Sequence, residues 1–262
     1  MTVYANEMKR SLKALIIWSL AIGAMIMICI AMFPDLKNET EKMGSMFANM
    51  GSFTDAFGMD KLDFGQLMGF YGIECGNVLG IGGGMFAALA GISALANEEK
   101  EHTAEFLLTH PVSRTSVMIQ KLAAALTQVA VLNMFTVCAS LATAAAVGES
   151  FDKKQFVLIH AAFLVMQAEL CCIAFGISAF IKRGSLGIGL GLALAMYFMN
   201  LLCNMSSDAE FLKYVTPYAY AEPSDIISEN AVDGALMAVG CCLAAAGAVT
   251  AFIKYGKKDI SA

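Results

Sequence analysis

Charge is scarce in this chain: 15% of its 262 residues are Asp, Glu, Lys or Arg, against 58% hydrophobic, and the mean hydropathy is +0.66. That balance excludes an ordinary soluble domain, in which about a quarter of the residues are charged. Prolines number four and histidines three, so breaks in long helices and nitrogen ligands for metals are both few. His102, His110 and His160 form no HExxH or other ligand spacing, which leaves no candidate metal site. There is no GxSxG elbow and no serine with a histidine base at membrane depth, so no catalytic residue is assigned. A GxxxxGK[ST] phosphate loop is missing too, so the chain does not hold ATP in the usual P-loop manner. Short alternating strands, which a membrane β-barrel needs, are absent as well.

What is present is a succession of apolar stretches, each long enough to cross about 30 Å of hydrocarbon as a helix. Six spans are expected, at about 14–33, 68–96, 123–147, 156–181, 185–203 and 234–253. The fold class is an all-α membrane protein of one domain over 1–262, because backbone exposed to lipid must satisfy its own hydrogen bonds. The first span follows a basic segment but is too long for a signal sequence, and Phe33-Pro34-Asp35 offers no small-residue cleavage site. The eight cysteines, among them the adjacent pairs Cys171/Cys172 and Cys241/Cys242, fall in spans and read as small packing residues.

The distribution of charge orients the spans. Of the 17 basic residues, the N-terminus, residues 97–121, Lys182 with Arg183, and the C-terminal tail hold 11. The opposite segments hold Lys37, Lys42, Lys61, Lys153, Lys154 and Lys213 among a larger number of acids. The positive-inside rule then puts both termini and residues 97–121 in the cytoplasm. The net charge of −5 is a sum over two faces and indicates no nucleic-acid partner. On the outer side, Met43, Met46, Phe47, Met50, Phe53 and Phe57 recur at helical intervals and predict an amphipathic helix along the membrane surface. Between Asn204 and Asp233, Pro217 and Pro223 predict short helical pieces and turns.

Within the spans, Gly72, Gly76, Gly80 and Gly84 repeat every four residues and leave one helix face without side chains. That face permits close approach of another helix, within the chain or in a second subunit. Glu74 and Glu169 are the acids expected inside spans, where an ionisable group faces a cavity or a partner. Glu74 lies near an outer end, within reach of interfacial water. Glu169 is deeper and is the stronger candidate for a polar cavity or a buried structural bond.

Residues 97–121, NEEKEHTAEFLLTHPVSRTSVMIQK, form a charged island between two apolar runs. Acids at Glu98, Glu99, Glu101 and Glu105 are followed by Phe106, Leu107 and Leu108, then by Pro111, Ser113, Arg114 and Lys121. Thr103 is placed to cap a short amphipathic helix that Pro111 ends, and Ser113 to cap the next. Such a helix fits a groove on another protein, and Arg114 suits bidentate contact with a carboxylate. The pattern resembles the cytoplasmic segment of ABC-2-type exporter permeases, with Thr103, Glu105, Leu107, Leu108, Pro111, Ser113, Arg114 and Lys121 all in place. His102 departs from it, standing where many relatives have a glycine or a basic residue.

The resemblance implies a permease subunit of an ATP-driven exporter, multi-pass in a bacterial plasma membrane. It implies a coupling helix that docks on a separate ATP-binding subunit through Glu99, Glu101, Thr103, Glu105, Phe106, Leu107, Pro111, Ser113 and Arg114. ATP and magnesium would reside in that partner, and a second permease, identical or different, would complete the pore among membrane lipids. The alternative from the residues alone is a gradient-driven carrier or channel using Glu169 as an ion or proton site.

Overall fold

The computed structural model describes residues 3–37, 54, 56–59, 61–100, 113–181 and 186–256. They form eight α-helices: α1 Val3–Lys37, α2 Leu67–Asn77, α3 Gly84–Lys100, α4 Arg114–Ala146, α5 Lys153–Ser178, α6 Leu186–Met205, α7 Pro223–Glu229 and α8 Gly234–Gly256. A π-helical turn, Val78–Gly83, joins α2 to α3, so that Leu67–Leu95 runs as one span. Among the described residues six helices are long and apolar enough to cross a membrane, and there is no strand.

The spans fall where the hydropathy places them, but several helices are longer. α1 begins at Val3 and runs through Pro34 to Lys37, and α4 begins at Arg114 rather than near residue 123. Hydropathy marks only the part of a helix inside hydrocarbon, whereas backbone hydrogen bonding continues into the headgroup layer. The charged island is correspondingly narrower than its sequence, since 97–100 continue α3 and 114–121 open α4. Of the outer amphipathic stripe, Met43, Met46, Met50 and the phenylalanines 47 and 53 lie outside the described residues, and Phe57 sits in a turn.

Burial separates centre from periphery. In the apolar windows of the second span and α5, 61% and 56% of residues are buried, against 22% in α6 and 17% in α8. The second span and α5 therefore form the core pair, and the other helices turn residues such as Ile17, Met134, Phe198 and Ile253 outward. Glycine sets the closeness of the core helices. A Cβ at Gly91 of α3 would collide with the Cys171 carbonyl of α5, and one at Gly176 of α5 would lie 2.6 Å from the Gly247 carbonyl oxygen of α8.

The segment between α6 and α8 does not stay at the surface. It forms a 3₁₀ stretch Ser207–Tyr214, a second turn Ala219–Ala221, and α7, and it folds back on the glycine face of the second span. A Cβ at Gly72 would lie 2.7 Å from Ile227, and one at Gly76 would lie 2.7 Å from Pro223. At Gly80 the neighbours are Phe163 and Tyr218, and at Gly84 the Tyr218 hydroxyl occupies the space a side chain would take. The occupant of the glycine face is thus α7 and the turn before it, from the same chain.

Candidate functional site

At the end where α1 begins, α3 ends and α4 starts, local sequence fixes the geometry. Ser113 has extended backbone and its hydroxyl accepts a hydrogen bond from the Ser116 amide at 3.2 Å, so it caps α4. Arg114 is the first residue of α4. Glu99 lies on the last turn of α3, and Glu101, Thr103, Glu105, Phe106, Leu107 and Pro111 lie outside the described residues. The expected docking segment is thus framed by two helices that lead into the core.

Two turns into α4, Lys121 turns inward. Its ammonium lies 2.7 Å from Glu7 Oε1 on α1 and donates to the Ala94 carbonyl of α3 at 2.8 Å, with the side chain only 1% exposed. Beside it the Tyr4 amide donates to Gln120 Oε1 and the Tyr4 hydroxyl to Thr127 Oγ1, both at 3.2 Å. Below, Ala94, Leu95, Met118, Phe175, Ala179, Ala251 and Tyr255 make a small apolar cluster joining α3, α4, α5 and α8. Sequence reasoning counted Lys121 in the charged pattern but gave it no contact. The available signal was a lone lysine at the head of a long apolar run.

Deeper in the bundle several amide and hydroxyl groups are hydrogen-bonded to one another and to backbone carbonyls. The Gln167 amide nitrogen donates to the Leu79 carbonyl at 3.3 Å, and its oxygen accepts from Asn133 at 2.7 Å. The Tyr218 hydroxyl donates to the Gly80 carbonyl at 3.3 Å. Both carbonyls belong to the π-helical turn, whose widened backbone needs such partners in a dry interior. Tyr197 reaches across to Asn77 Oδ1 at 2.9 Å. Nearer the far end, the Tyr71 hydroxyl lies 2.9 Å from both Ser140 Oγ and His160 Nε2. None of these groups was singled out from sequence, because Asn, Gln and Tyr at single positions carry no spacing signal.

The two intramembrane acids differ. Glu74 is exposed on the side of α2 away from the glycine face. Glu169 is 3% exposed, and its carboxyl faces Gly240 of α8, where a Cβ would overlap it. The Tyr220 hydroxyl and the Cys241 thiol are the polar groups beside it, and neither carboxyl oxygen has a partner in good hydrogen-bond geometry. Among the described residues no group of three or more His, Cys, Asp or Glu side chains is arranged to hold a metal ion.

At the far end, Glu222 precedes α7 and joins three segments. Its Oε2 accepts from Asn200 at 2.8 Å and from Asn204 at 3.4 Å, both on α6, and Asn204 also donates to the Ala56 carbonyl at 3.1 Å. Loss of water around this carboxyl pushes its pKa up from 4.5 to about 7, against the opposing pull of the Asn200 amide. Nearby, Lys61 pairs with Asp225 at 2.7 Å on the exposed surface.

The arrangement therefore has a framed, charged end, a polar interior that includes the buried Glu169 carboxyl, and a far end covered by a folded-back segment. None of the curated proteins compared with the chain matches it. A family model described as ABC-2 family transporter protein matches residues 1–260, nearly the whole chain. The chain belongs to the ABC-2 transporter family, and it is the membrane-embedded permease subunit of an ABC transporter.

Proposed function

We propose that this permease exports its cargo with energy supplied by separate ATP-binding subunits that dock on residues 97–121, in which Lys121 is buried and serves the bundle rather than the docking surface. The observation that carries the reading is the joining of that segment to α3 and α4, at the end rich in Lys and Arg, in a chain matched by the family over 1–260. The basic end faces the cytoplasm by the positive-inside rule, so both termini lie there. The cell membrane holds the chain as one half of a pore, beside a second permease that is either another copy or a different chain. Two ATP-binding subunits carry ATP and magnesium, and their closure pushes the docking segments together.

The push reaches the spans through α3 and α4, whose ends frame the segment. Rigid-body rocking of packed helices then exposes a path to the outer side at the permease interface. The interior polar groups Gln167, Asn133 and Tyr218 support the π-helical turn through this movement. A gradient-driven carrier would instead use Glu169, whose buried carboxyl lacks a well-formed hydrogen bond. That reading needs no ATPase, and the family match weighs against it.

The test is affinity purification of the tagged chain from its native membranes in mild detergent, wild type beside a Glu105→Ala, Arg114→Ala double variant. The reading expects a P-loop ATPase to accompany the wild type and to be lost or uncoupled in the variant. An ATPase-free preparation, under conditions that preserve complexes, would transfer the function to Glu169.

A further inference from the structure

Lys121 bonds all three helices at the basic end. Its own helix is α4, its ion pair is to Glu7 of α1 at 2.7 Å, and its hydrogen bond is to the Ala94 carbonyl of α3 at 2.8 Å. The docking segment leaves from α3 and returns into α4, so Lys121 ties together the two arms that carry any push on it. It ties both to α1, which has no chain connection to the segment. A fully buried ammonium is costly unless paired, and losing Glu7 or the carbonyl would leave that cost unmet. The pair and the carbonyl contact thus link the three helix ends through one side chain. Tyr4 reinforces the seam between α1 and α4 through Gln120 and Thr127.

We propose that the Lys121–Glu7 pair is the joint that recruits α1 into the transport movement, with Lys121 acting as a positioning residue that converts displacement of the docking segment into displacement of α1. This rests on the ATP-driven reading given above. The Tyr4 bonds to Gln120 and Thr127 are also directional, but they join α1 to α4 alone and reach no part of α3, and the apolar packing between α1 and α4 is not directional. An ion pair resting on a backbone carbonyl fixes register, the best-attested use of a buried charge.

The joint can be removed without leaving an unpaired charge. Replacing a buried pair by neutral side chains of similar size is often near-neutral for stability, so the Lys121→Met, Glu7→Gln double variant is expected to fold. The experiment uses the full complex with its co-purified ATPase in lipid nanodiscs, with spin labels at the exposed positions Ile16 on α1 and Ile253 on α8. Electron-spin distance measurements compare the nucleotide-free state with the ADP-vanadate-trapped state, and ATPase turnover is measured on the same samples.

The expected result is a wild-type distance change of several ångströms that is lost in the double variant, while ATPase turnover, complex formation and melting temperature stay within about twofold or a few degrees of wild type. A double variant that keeps the wild-type distance change overturns the joint. So does a wild type whose Ile16–Ile253 distance is the same in both states. If instead no ATPase accompanies the wild type, the ATP-driven reading itself has failed and the joint falls with it. That outcome is recognised before any label is introduced.

Discussion

Where Lys121 meets Glu7 and Ala94 the bundle is held by a buried charge, and where α7 lies on Gly72 and Gly76 it is held by shape. The first end has a small apolar cluster and a directional bond that ties three helices. The second has Pro223, Ile227 and Tyr218 seated on a face with no side chains, and neutral hydrogen bonds from Tyr71 and Tyr218. An ion pair resists sliding but loses its advantage when one partner goes, whereas a close-packed segment lifts away as a unit. The difference suits an end that receives a push and an end that opens in response.

The sharpest way to break this comparison is to remove one charge. Lys121→Ala leaves Glu7 partly buried and the Ala94 carbonyl without its ammonium, and is expected to cost about 3–5 kcal/mol. The neutral double variant should cost far less. Equal unfolding midpoints for the single and double variants in a denaturant titration would erase the distinction drawn for this end.

Where the folded-back segment reaches the middle of the second span, the effect of one methyl group should be smaller. Gly84→Ala places a Cβ where the Tyr218 hydroxyl sits and forces it off the Gly80 carbonyl. A loss of about 1–3 kcal/mol is expected from overpacking. Hydrogen exchange over 216–227 should rise while exchange at the start of α4 is unchanged. Uniform loosening of both ends would show that they are not separate.

Smaller again is a pH effect confined to Glu222, which lies outside the spans. Its folded pKa of about 7 exceeds the ordinary 4.5, so between those values the folded state binds more protons than the unfolded one. The contribution to stability is complete below about pH 4.5 and is lost as pH rises through 7. With solvent screening of a partly exposed group allowed for, the change is about 1–2 kcal/mol. Melting curves should show it in wild type and not in Glu222→Gln. The smallest effect belongs to the surface pair Lys37–Glu149, 2.8 Å apart with the lysine 47% exposed. Lys37→Ala should shift stability by less than about 1 kcal/mol.

Much of this organisation was legible in the sequence. Six spans follow from hydrophobic length alone, and Ser113 reads as the cap of the next helix because Pro111 ends the one before it. The glycine repeat announces a face of close approach but not its occupant, since Gly72 and Gly76 meet residues that lie about 150 positions away. Pro217 and Pro223 announce short pieces but not that those pieces fold back on the second span. The π-helical turn leaves no mark either, because Val78–Gly83 is equally compatible with an unbroken helix until Gln167 and Tyr218 claim its carbonyls. Lys121 was visible as a charge within the family-like pattern, but its pairing with Glu7 depends on where α1 comes to lie.

The central claim is that the basic end, and not the far end, receives an ATP-binding partner. A photo-crosslinking amino acid placed at exposed Thr115, beside the docking segment, and separately at exposed Ser228 of α7 would test it in native membranes. The account predicts that Thr115 captures a P-loop ATPase and Ser228 does not; capture from Ser228, or an ATPase captured from neither position, would contradict it.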